Sequence, residues 1–204
     1  MDIINYYLKE MERQHKPKIQ LGKVYTASTL NEDQARKLRI FDFDDTLAKV
    51  KAHIIVKNNG KETVLTPAEF AVYEGKPGDV FDFREFNAVI KKAVPIMKNI
   101  ELLKKAAAQP TTKTTILTAR LLAFPVKKYL KSKFNIDVYV IALGDADPVK
   151  KANYIEKEIK KGYNDIVFID DSIKNVQAVS ALKEKYPMVN LEVIHTTEAE
   201  HIKL

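Results

Sequence analysis

No cysteine occurs among the 204 residues, which excludes disulfides, thiol nucleophiles, cysteine-ligated zinc and iron–sulfur clusters. No apolar run approaches the roughly 20 residues that a membrane span requires. Residues 1–16 are rich in charge and lack the basic-then-apolar order of a secretory signal, so a cytoplasmic protein is expected. Internal repeats, low-complexity stretches and a dense basic tail are all missing. So is any Gly-x-x-x-x-Gly-Lys-Ser/Thr segment, the loop that cradles nucleotide phosphates in kinases.

What is present describes a folded chain. Hydrophobic residues make up 46% and charged residues 30%, a balance that excludes disordered and membrane classes. The length suits one substantial domain with room for a small insertion. A chain of this size buries roughly 70% of its unfolded surface, enough for a core without covalent staples. Lys and Arg number 34 against 27 Asp and Glu, a net +7. That excess suits a polyanionic partner such as nucleic acid, although many lysine-rich soluble chains carry as much without one.

Apolar spacing predicts an amphipathic helix over residues 3–14, with Ile3, Tyr7, Leu8 and Met11 near one face, then a polar connector. Residues 1–35 therefore read as an N-terminal helix and connector, and 36–204 as the main domain. Leu38 to Phe41 reads as a buried strand. Residues 53–65 read as a hairpin turning at Lys57-Asn58-Asn59-Gly60. Thr66-Pro67-Ala68-Glu69 has the order of a capped helix start, giving a short helix through Tyr73. Together these form a small flap or cap over about 50–82. A longer helical region is expected over 84–107, bent or broken at Pro95. Strands at 114–118, 138–143, 166–169 and 191–194 then alternate with helices at 125–133, 149–160 and 175–185. The alternation predicts an α/β fold, Rossmann-like and three-layered, around a mainly parallel five-stranded sheet. Such sheets bind ligands beyond the carboxyl ends of their strands.

Three predicted strands end in groups able to do chemistry: Asp42-Phe43-Asp44-Asp45-Thr46, Leu117-Thr118-Ala119-Arg120 and Ile169-Asp170-Asp171-Ser172. Each has an ordinary structural use when taken singly. Asp44 or Asp45 suits a turn, Asp171 or Ser172 a helix cap, and Thr118 a strand end. Clustering them is another matter, because unpaired carboxylates cost several kcal/mol to bury and so call for a cation or another partner. Asp42, Asp44 and Asp170 offer hard oxygen ligands of the kind that suit magnesium beside a substrate phosphate.

With these motifs in order, the chain resembles the haloacid dehalogenase superfamily of phosphohydrolases. Asp42-Phe43-Asp44-Asp45-Thr46 is similar to that family's first motif, Asp-x-Asp-x-Thr after a strand. Ile116-Leu117-Thr118 resembles the second, Lys151 the third, and Phe168-Ile169-Asp170-Asp171 the fourth. The separations from Asp42 to Thr118 to Lys151 to Asp170 are 76, 33 and 19 residues, and the resemblance spans about residues 36–195. It implies Asp42 as nucleophile, forming an aspartyl-phosphate, and Asp44 as the acid and then base. It implies Thr118 and Lys151 as phosphate-binding catalytic groups. It also implies Mg2+ held by Asp42, the Asp44 carbonyl, Asp170 and Asp171, with Asp171 acting through water or orienting the lysine. Lys150 competes for the lysine role; the Ala152-Asn153-Tyr154-Ile155 order that follows favours Lys151 by family likeness. A helical step of about 100° lets only one of the two face the site. Asn175 either steadies the metal-binding loop or begins the helix.

Leu117-Thr118-Ala119-Arg120 also resembles the Thr/Ser-Gly-Arg segment of polynucleotide kinase–phosphatases, with Ala119 in place of Gly. Arg120 is then a candidate fork onto a substrate phosphate, or a plain ion-pair partner. Residues 65–70 and 81–86 are similar to stretches of small phage-type phosphatases. Tyr73, Phe81 and Phe83 are candidates for stacking bases, or for packing a core. The expected function is a magnesium-dependent phosphatase acting on a nucleotide or a nucleic-acid terminal phosphate. The alternatives are a small-molecule phosphomonoesterase of broad specificity and a nucleic-acid-binding module that does not turn over. The expected partner is a phosphorylated substrate, with no membrane.

Overall fold

A computed structural model describes residues 35–66, 69–70 and 73–196. The expected helix over 3–14 and its connector lie outside the described residues. The domain is α/β. Its main sheet comprises β1 (Lys37–Phe41), β7 (Thr112–Thr118), β8 (Tyr139–Ala142), β9 (Asp165–Asp170) and β10 (Asn190–His195), all parallel, in the order β10-β9-β1-β7-β8. The chain builds outward from β1 through β7 to β8, then crosses to the other side for β9 and β10. The order therefore reverses between β1 and β9, where a ligand crevice is expected in such sheets.

Helices α2 (Met97–Ala107), α3 (Phe124–Phe134), α4 (Pro148–Lys160) and α5 (Ile173–Ser180) flank the sheet. Alternating side chains along each strand supply two cores. Phe41, Ile116, Val167 and Ile169 pack with Ile100, Leu103, Val126 and Leu130 of α2 and α3. Ile40, Leu117, Ile166 and Phe168 pack with Ile155 and Ile159 of α4 and Val179 of α5. Continuous apolar runs such as Ile166–Ile169 are what a strand covered on both faces requires. The start of α4 is local chemistry: Asp147 accepts from the Val149 N–H at 3.0 Å and Pro148 occupies the first turn. This precise start sets which face of α4 meets the sheet.

Two small sheets, one of three strands and one of two, lie between β1 and α2. In the first, β3 (Ile54–Asn58) pairs antiparallel with β4 (Lys61–Leu65) and with β5 (Val80–Asp82). The hairpin falls within the expected span, but its strands run to a two-residue turn, Asn59 and Gly60 at φ 48° and 77°, so Lys57 and Asn58 belong to β3. After it Thr66 and Glu69 satisfy each other: the Thr66 N–H donates to Glu69 Oε2 at 2.7 Å, and the Glu69 N–H to Thr66 Oγ1 at 3.3 Å. Glu69 and Phe70 are helical, while residues 67, 68, 71 and 72 of that expected helix lie outside the described residues.

The expected helix over 84–107 is corrected. Only α1 (Arg84–Asn87) and α2 are helical, and between them β6 (Ala93–Pro95) pairs antiparallel with β2 (Ala48–Val50). Pro95 disfavours helical backbone at Val94, and an edge strand tolerates its missing N–H. The Ile96 N–H then donates to the Leu47 carbonyl at 2.9 Å. The helix expected over 175–185 is likewise two pieces, α5 and α6 (Leu182–Lys185). No helix among the described residues is long and apolar enough to cross a membrane.

Candidate active site

The carboxyl ends of β1, β7 and β9 bring most of the predicted residues together. Asp42 follows β1 directly, and its N–H extends the ladder to the Ile169 carbonyl at 2.9 Å. The chain then turns sharply: Leu47 and Ala48 both donate to the Phe43 carbonyl, and Asp45 adopts φ 55°. The turn buries Phe43 and Thr46 while carrying Asp44 out over β7.

Lys151, in the first turns of α4, is 3% exposed and spans the crevice. Its Nζ donates to Asp42 Oδ1 and to Asp170 Oδ2, each at 2.6 Å. Burial opposes the Lys151 charge, but Asp42 and Asp170 outweigh it and hold the ammonium above its ordinary pKa. Lys150 points away: it is half exposed and pairs with Asp145 at 3.6 Å. Of the two lysines, Lys151 alone faces the carboxylates.

Asp170 is fully buried at the end of β9. Its carboxylate accepts from the Ser172 N–H at 2.9 Å and from Asn175 Nδ2 at 2.9 and 3.1 Å. Asn175 thus braces this loop. Asp171 Oδ1 accepts from Thr46 Oγ1 at 3.0 Å, and the Asp171 N–H donates back to Thr46 Oγ1 at 3.0 Å. Burial pushes the Asp171 carboxyl up to about 6. Asp42 is raised well above the usual range by burial, with Lys151 pulling the other way and Asp170 adding to the rise.

Asp42, Asp170 and Asp171 each offer a carboxylate oxygen, and the three lie within 4.8 Å of one another. Three clustered carboxyl groups face one ammonium in a buried setting, where their charges are costly without a further cation. That donor set fits a hard divalent cation, which takes oxygen ligands.

Asp44 stands outside this acidic group. Its side chain is held by Arg120: Nε donates to Oδ2 at 2.8 Å and Nη2 to Oδ1 at 2.7 Å. Arg120 is 4% exposed. It also donates to the Phe86 carbonyl and lies 5.5 Å and 5.3 Å from the Phe43 and Phe86 ring centroids. Its fork is therefore engaged with a carboxylate. Thr118, fully buried at the end of β7, accepts from the Arg120 N–H at 3.2 Å.

Two supporting residues escaped the sequence reading. Asn99, buried in α2, donates to the Thr46 carbonyl at 2.7 Å and so supports the hydroxyl that meets Asp171. Its only signal was a polar residue beside the apolar pair Ile100 and Leu103. His195 Nε2 lies 2.6 Å from the Asp171 carbonyl oxygen, with no preceding motif to mark it. A cavity of about 360 Å³ adjoins the site, lined by Asp44 and Arg120 together with Phe70, Phe83 and Phe86. No protein-family model matches the chain, and no curated protein matches it.

Proposed function

We propose that the protein is a magnesium-dependent phosphomonoesterase of the haloacid dehalogenase type, acting through an aspartyl-phosphate on a nucleotide or a nucleic-acid terminal phosphate. The observation that carries this reading is Lys151 bridging Asp42 and Asp170 beside Asp171 at the point where the strand order reverses. A carboxylate is ionised at neutral pH in water; in the crevice burial works against that state for Asp42, and the Lys151 ammonium at 2.6 Å works for it.

In the first step an Asp42 oxygen bonds to phosphorus as the bond from phosphorus to the leaving oxygen breaks, and Asp44, having released one oxygen from Arg120 and taken up a proton from water, delivers that proton to the leaving oxygen. In the second, Asp44 takes a proton from water as the water oxygen bonds to phosphorus. The bond to Asp42 breaks, releasing inorganic phosphate. Lys151 and the Thr118 hydroxyl hold the phosphoryl oxygens, and Arg120 keeps Asp44 in position. Asp42, Asp170 and Asp171 would hold the magnesium ion, which supplies positive charge against the phosphate when bound.

Phosphate release from nucleotides, sugar phosphates and 5′- or 3′-phosphorylated oligonucleotides, with magnesium and with chelator, tests the reading. Turnover should require the metal, and Asp42→Asn should reduce it below about a thousandth while the fold persists. Asp42→Asn retaining more than that, or full activity in excess chelator, refutes the assignment.

A further inference from the structure

We infer that the aromatic cavity beside Asp44 receives a planar ring on the leaving-group side of the substrate, as in a nucleoside monophosphate or an aryl phosphate. The inference rests on the phosphomonoesterase reading for its placement. If Asp44 protonates the leaving oxygen, that oxygen lies at Asp44, and whatever is attached to it extends into the adjoining space. That space is the 360 Å³ cavity, within the range of about 300–1,000 Å³ typical of small-ligand sites.

The walls specify the chemistry of the occupant. Phe70 meets Phe83 edge-on, with centroids 5.5 Å apart and planes at 84°, and Phe83 meets Phe86 at 6.4 Å and 62°. Perpendicular rings of this kind present both a face and an edge to a planar guest. Phe83 is nonetheless 41% exposed, so the cluster leaves apolar ring surface in water that a guest would cover. Ile54 and Leu121 add aliphatic wall.

Charge points the same way. Arg120 is the one cation among the described lining residues, and Asp44 already neutralises it with two hydrogen bonds. Asp145 at the rim is acidic, and its Oδ1 accepts from the Asp147 N–H at 2.9 Å. A second phosphate or a carboxylate on the leaving group would find no free cation in these walls, whereas an uncharged ring would find three phenyl groups. Gly144, next to Asp145 at φ +67°, packs closely on the aliphatic wall: a Cβ there would come within 3.1 Å of Leu121 Cδ1.

The test is equilibrium binding to the full-length Asp42→Asn protein with magnesium, so that ligands survive. The ligands are adenosine 5′-monophosphate, phenyl phosphate, ribose 5-phosphate, inorganic phosphate and unphosphorylated adenosine. Either ring-bearing phosphate should bind about tenfold tighter than ribose 5-phosphate, within what one base–aromatic contact contributes. A preference for the nucleotide over phenyl phosphate identifies a nucleoside as the source of the ring, and equal affinity identifies the ring alone; both support the inference. Phe83→Ala should weaken the ring-bearing ligands several-fold and leave inorganic phosphate unchanged. Phe83→Leu, which keeps apolar volume without a ring face, should do so to a lesser degree. Equal affinity for ribose 5-phosphate and the ring-bearing phosphates overturns the inference, as does equal weakening of inorganic phosphate in both variants. Adenosine separates the two readings. Adenosine binding that is weakened several-fold in Phe83→Ala and less in Phe83→Leu upholds the cavity even if the wild-type enzyme releases no phosphate from any ester, which would sink the phosphomonoesterase reading alone.

Discussion

Replacing Lys151 by Met isolates the electrostatics of the candidate site. Methionine matches the length and apolar stem of lysine but carries no charge, so packing at the start of α4 changes little. What is lost is the ammonium that bonds Asp42 and Asp170 at 2.6 Å each, in a crevice where Lys151 is 3% and Asp170 0% exposed. Removing one partner of a buried ion pair costs about 3–5 kcal/mol, because the remaining charge is left uncompensated. The Ser172 N–H and Asn175 still serve Asp170, which favours the lower end. For a domain of this size each kcal/mol shifts the melting temperature by roughly 2–4 °C, so Lys151→Met should melt about 6–20 °C below wild type in chelator. Magnesium should reverse part of that loss. A ligand present at a hundred times its dissociation constant stabilises by about 2.7 kcal/mol. The magnesium-induced rise should be larger in Lys151→Met than in wild type, since the ammonium no longer competes for Asp42 and Asp170. Scanning calorimetry with and without magnesium measures both quantities. A loss of less than about 2 °C in chelator, or equal magnesium increments in the two proteins, would refute the reasoning.

Other perturbations test separate parts of the structure. Asp170→Asn should abolish the magnesium-dependent rise in melting temperature, and a rise as large as in wild type would remove Asp170 from the ligand set. Glu158, 1% exposed, accepts from Lys113 and Lys161 at 2.6 Å each; burial raises its pKa, but these bonds outweigh it and hold it below the ordinary value. A lowered folded-state pKa means stability present above the unfolded value and lost as pH falls through the folded one. Glu158→Gln should therefore cost about 1–3 kcal/mol at pH 7, with the gap from wild type closing below about pH 4; a gap independent of pH in urea titrations would contradict this. Gly144→Ala forces a β-carbon onto φ +67° and should cost about 1–2 kcal/mol by chemical denaturation, whereas an unchanged midpoint would deny any strain there. For substrates, the Michaelis constant of a phosphorylated oligonucleotide should rise steeply with salt and that of a mononucleotide little; equally flat responses would count against contacts to several phosphates.

The readable parts of the chain were those written in local pattern. The run Ile166–Ile169 announced a buried strand because sheets covered on both faces need unbroken apolar stretches, and Thr114–Thr118 announced one through its β-branched Thr and Ile residues. The carboxyl ends of these strands and of Leu38–Phe41 are legible in the sequence, and they carry Thr118, Asp170 and Asp42. Three-residue strands were invisible. Ala48–Val50, Val80–Asp82 and Ala93–Pro95 are shorter than a hydrophobic period can register, and they exist because a partner strand lies alongside. The helical region expected over 84–107 is interrupted more widely than a bend or break at Pro95, as pairing with β2 outweighed local helical pattern.

Within the site, the residue types were decided by sequence and the pairings by tertiary structure. Acidic strand ends in a basic chain without cysteine already pointed to oxygen ligands and a phosphate chemistry. Which lysine serves them depended on the rotation of α4 against the sheet, a step of about 100° that neighbouring residues cannot express. That Asp44 turns to Arg120, 76 positions away, rather than joining Asp42 depended on β1 and β7 being neighbours. The Asn99 support for Thr46 and the phenyl cavity beside Asp44 likewise join segments far apart in the chain. Periodicity and strand-end position are properties of a few consecutive residues, whereas a hydrogen bond or a cavity wall needs two segments at a set distance. Only the order of the strands and the packing of the helices on them supply that distance.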